Sequence, residues 1–253
     1  MRYAAGMSTT ILTGDCLTIL PTLDAGSVQL AYLDPPFNIG MDYGNGYNDK
    51  QPRAEYFAWL EDVFRAVHRV LSPHGSLWVQ CGQRIQAKVY LMLESLGLHW
   101  RNTVPWNYNF GPHQRRKFVP SWQALHSFAC HRRRFTFNAD AVREPSLRQT
   151  KYKDKRANPK GRVPGDVWPA PRICGTFSKR IKGHPCQTPL ENVERIVRAC
   201  SNPGDVVLDA MMGTGTVGVA AKMLGRRFIG IERNEATAEK ARRRIAQVLP
   251  FAG

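Results

Sequence analysis

One segment near the carboxyl end constrains the fold more than any other part of the sequence. The apolar run Val206–Asp209 is followed by the turn Met212-Gly213-Thr214-Gly215-Thr216, by a helical pattern over residues 216–224, and by a second apolar run that ends at Glu232. Glycine lets the backbone turn tightly and approach a ligand closely. The order strand, glycine turn, helix, strand and acid predicts a nucleoside-binding unit at the carboxyl edge of a parallel sheet.

The glycine turn is shorter than a dinucleotide motif. No third glycine completes the pattern G-x-G-x-x-G, so a single nucleoside is favoured over a dinucleotide. Glu232 is placed to accept hydrogen bonds from ribose hydroxyls. The alternative is a tight turn that only packs a helix against a strand.

Other parts of the chain also alternate between strand and helix patterns. Val28–Leu33 is a short apolar run, and large apolar residues recur at steps of three and four over residues 57–71. Strands separated by helices form a parallel sheet covered on both faces. The sequence therefore predicts an α/β fold with a Rossmann-like, mostly parallel sheet. Within it, Thr188 and Glu191 predict a capping box at the start of a helix that ends near Cys200, and Asn234 predicts the cap of the last helix.

The basic residues concentrate in the middle of the chain. The formal net charge is +16, and 19 Lys or Arg residues face four acidic ones between residues 101 and 182. The apolar period also disappears over residues 135–182. A basic surface that is merely solvated is the alternative, but concentration in one segment indicates a surface for a polyanion such as nucleic acid. We predict an α/β half over residues 1–134, an irregular recognition insertion over 135–182, and an α/β half over 183–253 that carries the nucleoside-binding unit.

Two further features bound the class of protein. The six cysteines include no C-x-x-C pair, which favours reduced thiols over disulfides or a zinc site. No apolar run approaches the roughly 20 residues of a membrane span, and residues 1–8 lack a signal-peptide pattern. We expect a cytoplasmic, nucleoid-associated protein without a membrane segment.

A second loop carries the groups for chemistry. The tetrapeptide Asp34-Pro35-Pro36-Phe37 follows the first strand, and its two prolines stiffen the backbone. Asp34 and the Pro35 carbonyl can accept the two N–H bonds of an exocyclic amine, while Phe37 can stack on a planar base. The alternative is a proline turn that ends a strand.

These two loops resemble the catalytic and cofactor motifs of amino-group DNA methyltransferases that use S-adenosylmethionine. The catalytic motif comes first and the cofactor motif last, which resembles the permuted beta class. Four further segments are similar to that family: Gly14-Asp15-Cys16, His184-Pro185-Cys186-Gln187-Thr188-Pro189, Asn202-Pro203-Gly204-Asp205, and Gly225-Arg226-Arg227-Phe228-Ile229-Gly230-Ile231-Glu232.

The resemblance implies roles for individual residues. The catalytic residues would be Asp34, Pro35, Pro36 and Phe37. Asp15 would contact the cofactor adenine, Glu232 its ribose, and the turn after Asp209 its methionine end. The full cofactor set would be Asp15, Gln187, Thr188, Asp209, Met211, Gly213, Gly215, Thr216 and Glu232. The chain departs from the family where Ala210 and Met211 replace a usual Pro-Phe and where Thr188 replaces a usual Lys.

The resemblance implies methyl transfer to N6 of a flipped adenine in a specific duplex sequence, without a metal ion. The loop begins with Asp, as in adenine enzymes; N4-cytosine methylation, an RNA substrate and an inactive nucleic-acid-binding subunit are the alternatives. Whether the chain forms a homodimer or works beside a restriction endonuclease stays open. Candidate contacts to double-stranded DNA are Arg115, Arg116, Lys117, Lys151, Lys153, Lys155, Arg156 and Lys160.

Overall fold

A computed structural model describes residues 8–43, 46–108, 111, 113–173 and 187–249. Its eight strands form one sheet in the order β1-β8-β7-β2-β3-β5-β4-β6. The first five strands in that order are parallel, β5 is antiparallel to both β3 and β4, and β6 is parallel to β4. The strands are β1 (Thr9–Thr13), β2 (Val28–Leu33), β3 (Leu71–Cys81), β4 (His99–Asn107), β5 (Trp122–Ala129), β6 (Trp168–Pro169), β7 (Val206–Asp209) and β8 (Arg227–Glu232).

Seven α-helices accompany the sheet in the described part of the chain. They are α1 (Cys16–Ile19), α2 (Arg53–Val70), α3 (Gln86–Ser95), α4 (Leu147–Thr150), α5 (Leu190–Cys200), α6 (Thr216–Met223) and α7 (Glu235–Ala246). Short 3-10 turns lie at Leu20–Thr22 and Ala139–Val142. The α/β fold and the mostly parallel sheet predicted from the sequence are confirmed.

Two apolar cores lie on opposite faces of the sheet. Successive side chains of a strand point to opposite faces. In β2, Ala31 and Leu33 accordingly belong to one core with α2 and α3, whereas Leu30 and Tyr32 belong to the other with α5, α6 and α7. Both faces of the parallel strands are therefore covered by helices, as the alternating pattern predicts.

The described part of the segment over residues 135–182 contributes one short strand to this sheet. The structure describes it as far as residue 173, and it contains α4 and β6 between irregular stretches. The pair Trp106 and Trp168 joins β6 to β4 at the edge of the sheet. The proposed boundaries of the insertion stay a prediction.

One local prediction is wrong. Pro189, not Thr188, precedes the first residue of α5, and no side chain caps this helix end. The Thr188 hydroxyl instead points toward β2 and β3, where it meets polar side chains described below. The Asn234 cap of α7 is confirmed, because its side chain accepts a hydrogen bond from the Thr237 N–H at 2.9 Å.

Cys16, Cys81, Cys130 and Cys200 are free thiols. Cys174 and Cys186 lie outside the described residues, as do His184 and Pro185 of the motif before α5. Among the described helices, none is long and apolar enough to cross a membrane.

Candidate active site

A cleft of about 250 Å³ lies at the carboxyl edge of the parallel strands. Four of the strands that end there deliver a carboxyl group: Asp15 follows β1, Asp34 follows β2, Asp209 ends β7 and Glu232 ends β8. Because β2 and β7 are neighbours, the two predicted loops meet although they are far apart in the chain. The sheet thus builds one site from both ends of the sequence.

The glycine turn after β7 has the predicted conformation. Gly213 and Gly215 have φ values of 49° and 78°, in the left-handed region that favours glycine. The Gly213 N–H donates to Glu232 Oε2 at 3.0 Å, and the Asn234 N–H donates to Glu232 Oε1 at 2.9 Å. These bonds fix the Glu232 carboxylate between the turn and the start of α7.

The loop after β2 is held by bonds from outside the tetrapeptide. The Tyr56 hydroxyl on α2 donates to the Pro36 carbonyl at 2.6 Å. The buried Asp49 carboxylate accepts the N–H groups of Asn38, Ile39 and Met41 at 2.9, 3.1 and 2.9 Å. None of the hydrogen bonds among the described residues uses the Pro35 carbonyl, so this acceptor stays available beside Asp34.

A chain of hydrogen-bonded polar side chains adjoins Asp34. Thr188 Oγ1 lies 3.4 Å from Asp34 Oδ2 and 3.2 Å from Gln80 Oε1. The Tyr32 hydroxyl donates to the same Gln80 oxygen at 2.5 Å, and Gln80 Nε2 donates to Gln123 Oε1 at 2.8 Å. A hydroxyl has a single proton, so Thr188 donates to either Asp34 or Gln80 at any moment.

Burial governs the protonation of the carboxyl groups. It raises the pKa of Asp34 to about 7, and the Thr188 hydrogen bond opposes this rise. It also raises the pKa of Asp209 well above its ordinary value, with help from the nearby charges of Asp34 and Glu232. Burial raises the pKa of Glu232 as well, against the backbone N–H groups that lower it.

The acidic cleft suits a ligand with positive charge. No ion pair in the described part of the chain involves Asp34, Asp209 or Glu232. Asp209 is buried, and Asp34 and Glu232 are partly buried. Carboxylates withdrawn from water without a paired cation are unfavourable, and a cationic ligand would relieve that cost. Met211 and Met212 contribute apolar surface to the lining of the same cleft.

Comparison with known proteins agrees with this geometry. The sequence model of the N6 and N4 methyltransferases, described as DNA methylase, matches residues 28–243. The chain belongs to the DNA methylase family. It is 32% identical over 240 residues to the type II methyltransferase M.HpaI of Haemophilus parainfluenzae, which covers 94% of this chain and 74% of that protein. It is 33% identical over 244 residues to the DNA adenine methyltransferase YhdJ of Escherichia coli strain K12, covering 93% and 82%.

A solved structure supports the fold of the methylase. The crystal structure of the M1.HpyAVI–SAM complex superposes with a TM-score of 0.67 at 22% identity, covering 94% of this chain and 98% of that one. Family membership confirms the predicted amino-group DNA methyltransferase, with S-adenosylmethionine as its cofactor and DNA as its substrate. The alternative of an inactive binding subunit is not supported.

The structure places the predicted catalytic and cofactor residues of the methylase together. All four residues of the Asp34 loop line the cleft, as do eight of the nine predicted cofactor residues. Gly215 does not; its Cα faces Ala241 and Ile245 of α7, so its part is to shape the turn.

Sequence reasoning missed several residues that line the cleft. They are Cys16, Tyr32, Trp59, Gln80, Gln123, Arg172 and Arg233, among others. Tyr32 and Gln80 stand just before the ends of β2 and β3, a position that could have marked them. Nothing in the sequence separates Arg172, whose guanidinium lies 5.2 Å from the centre of the Tyr108 ring, from the other basic residues of its segment.

The predicted DNA contacts lie outside the cleft and divide into two groups. Arg156 pairs with Asp154 at 3.1 Å, and Lys160 pairs with Asp140 at 2.6 Å. The other six have no ion-pair partner within the described residues: Arg115, Arg116, Lys117, Lys151, Lys153 and Lys155.

The hydrogen bond between Thr188 and Asp34 leads to a prediction for the acid limb of the pH dependence of kcat/KM. Below its pKa of about 7 the Asp34 carboxyl is protonated and loses acceptor capacity, so kcat/KM should rise about tenfold per pH unit up to about pH 7. Thr188→Val removes a hydrogen bond that lowers this pKa, so the limb should move to higher pH. Thr188→Ser keeps the hydroxyl and should leave the limb in place. An unchanged limb in the valine variant would show that Thr188 does not tune Asp34.

Proposed function

We propose that this methylase transfers a methyl group to the exocyclic N6 amine of an adenine that is flipped out of a specific duplex sequence. The observation that carries the proposal is the Asp34 loop: Asp34 and Pro35 line the same cleft as the glycine turn, and no hydrogen bond among the described residues uses the Pro35 carbonyl. Two acceptors side by side match the two N–H groups of an amine. The cleft is therefore suited to hold an amine beside a nucleoside-type ligand.

The cofactor fits the other half of the cleft by the chemistry of its lining. Glu232 would hold the ribose hydroxyls, Asp15 the adenine, and Asp209 with Met211 the methionine end, whose ammonium suits a buried carboxylate. Gln187, Thr216 and the Gly213 backbone complete this wall. When bound, S-adenosylmethionine supplies an electrophilic methyl group on a positively charged sulfur.

Asp34 has two tasks in this mechanism. As a carboxylate it accepts a hydrogen bond from the target amine, which holds the nitrogen lone pair in position and stabilises the positive charge that develops there. The methylated nitrogen must then lose a proton. A carboxylate whose pKa lies near 7 accepts that proton more readily than an ordinary aspartate does.

Phe37 supplies the stacking surface for the flipped base. Its ring packs closely over Gly82, where an added Cβ would lie 3.3 Å from Phe37 Cδ2. Glycine at this position leaves room for the ring beside β3. Stacking on Phe37 offsets part of the few kcal/mol that extrusion of a base costs.

The choice of adenine rests on two observations. The loop begins with Asp34, and the relative YhdJ is named a DNA adenine methyltransferase. Cytosine presents the same amine beside a ring nitrogen, so the Asp34 loop can hold either base. N4-cytosine methylation is therefore the second candidate.

The product identifies the base directly. We expect DNA incubated with the enzyme and S-adenosylmethionine, then digested to nucleosides, to contain N6-methyladenine as the main new nucleoside. N4-methylcytosine alone would overturn the adenine assignment and keep the mechanism. 5-Methylcytosine would overturn the mechanism as well, because carbon methylation needs a nucleophile that this loop lacks. Sequencing with modification detection gives the recognition site in the same experiment.

The DNA partner is proposed to lie along the basic residues outside the cleft. The six cations that form no ion pair within the described residues would contact phosphates, and Arg156 and Lys160 would join them once DNA competes for their carboxylate partners. A partner restriction endonuclease is suggested by the type II name of M.HpaI. A homodimer is compatible with the proposal and is tested by the mass of the protein in solution.

A further inference from the structure

The loop between β4 and β5 presents an apolar side chain to solvent. Phe118 is 99% exposed, the highest value among the large apolar residues that the structure describes. Full exposure of a phenylalanine gives the free protein no stabilisation, since apolar area is favourable only when it is removed from water. A partner that covers this ring would therefore gain its burial.

Hydrogen bonds hold the base of this loop. The Tyr108 N–H donates to the Ser121 carbonyl at 2.7 Å, and Gln83 Nε2 donates to the Trp122 carbonyl at 3.1 Å. The next residue, Gln123, lines the cleft and bonds to Gln80 below Asp34. Phe118 thus lies five residues along the chain from Gln123, which lines the pocket that would receive the flipped base.

The charge around Phe118 identifies the partner. Arg115, Arg116 and Lys117 precede it directly and are exposed, and the sequence has no acidic residue between Gly111 and Gln123. Two copies of such a loop would repel each other. A polyanion with apolar surfaces between its phosphates fits the combination, and stacked bases of duplex DNA provide both.

We propose that Phe118 enters the duplex at the target position and fills the space that the flipped base leaves. The proposal rests on the proposed base-flipping function and adds the residue that stabilises the opened duplex. Arg115, Arg116 and Lys117 hold the phosphates while the ring stacks between the neighbouring base pairs. During base flipping, Phe118 would keep the duplex open, and Phe37 in the Asp34 pocket would hold the extruded base.

The test compares two duplexes that carry the recognition site. In one the target base is paired; in the other it faces an abasic position, so its extrusion costs less. Phe118→Ala should lower methylation of the paired duplex about tenfold or more, by loss of the stacking contribution. On the abasic duplex the variant should stay within about threefold of wild type. Phe118→Trp should retain activity on both.

A second measurement reports extrusion itself. 2-Aminopurine at the target position should brighten when wild-type protein binds and should brighten less with Phe118→Ala. Leu91→Ala, which removes another exposed apolar side chain from α3, should match wild type in both assays. If Phe118→Ala lowers methylation equally on both duplexes, or on neither, the proposed role of Phe118 is overturned.

The solution mass tests the competing occupant. If Phe118→Ala converts a dimer to a monomer, the ring covers a second copy of the chain and the proposal fails. The proposed function fails separately, when wild-type enzyme leaves adenine unmodified in the paired duplex. If the modified base is cytosine, duplexes with cytosine at the target position test the role of Phe118 in the same way.

Discussion

Replacing Asp34 by alanine is expected to lower turnover about 100-fold or more, while S-adenosylmethionine binds with nearly unchanged affinity. In the proposed mechanism the carboxylate acts on the target amine, and loss of a preorganised group that stabilises transition-state charge typically costs this much. The proposed cofactor residues come mainly from the opposite end of the chain, at Asp209, Gly213 and Glu232. Single-turnover methylation and calorimetric titration with the cofactor measure the two effects separately.

Unfolding of the Asp34→Ala variant would be an alternative cause of lost activity. The raised pKa of Asp34 allows this cause to be distinguished from loss of catalysis. The folded pKa of about 7 lies above the ordinary value of 3.8, so ionisation of this carboxyl opposes folding once the pH rises above that ordinary value. Asp34→Asn removes the opposing charge and should not lower Tm at pH 8, although it should also lose most activity. Activity within a few-fold of wild type in both variants would contradict the role assigned to Asp34.

Binding of duplex DNA is expected to weaken steeply with salt. If each of the six cations that lack an ion pair in the described part of the chain neutralises one phosphate, the slope of log Kobs against log salt should be about −5. Affinity should then fall on the order of 1000-fold between 50 and 200 mM salt. Fluorescence anisotropy of a labelled duplex over a salt series measures the slope.

Variants assign that slope to particular residues. The triple change Arg115→Ala, Arg116→Ala and Lys117→Ala should make it shallower by nearly three. Arg65→Ala is the matched control, because Arg65 is an exposed cation on α2 that pairs with Glu61 and should not affect the slope. A wild-type slope shallower than about −2 would place the DNA away from the basic segment.

Much of the architecture follows from local patterns in the sequence. The apolar runs at β2, β7 and β8 and the periodic residues of α2 lie where the patterns predict them. Gly213 and Gly215 adopt positive φ because the turn after β7 requires it. Period, glycine and proline act over a few residues, so they can be read without knowing the rest of the fold.

Thr188 shows where local reasoning fails. Its spacing from Glu191 matches a capping box, yet α5 begins beyond Pro189 and the hydroxyl bonds to groups on β2 and β3. The competing partners, Asp34 and Gln80, are more than 100 residues away in the chain. A side chain takes whichever partner the packed structure offers, and short-range spacing does not contain that information.

The sequence by itself determined the two motif loops, the kind of sheet and the basic middle of the chain, because each depends on neighbouring residues. Only the tertiary structure decided the sheet order that sets β2 beside β7 and brings both loops to one cleft. It also decided the environment of Asp34, where a hydrogen-bonded chain of Thr188, Gln80 and Tyr32 joins the segment before α5 to β3 and β2. The protonation of a carboxyl group depends on how far packing removes it from water, and that packing is a property of the whole fold.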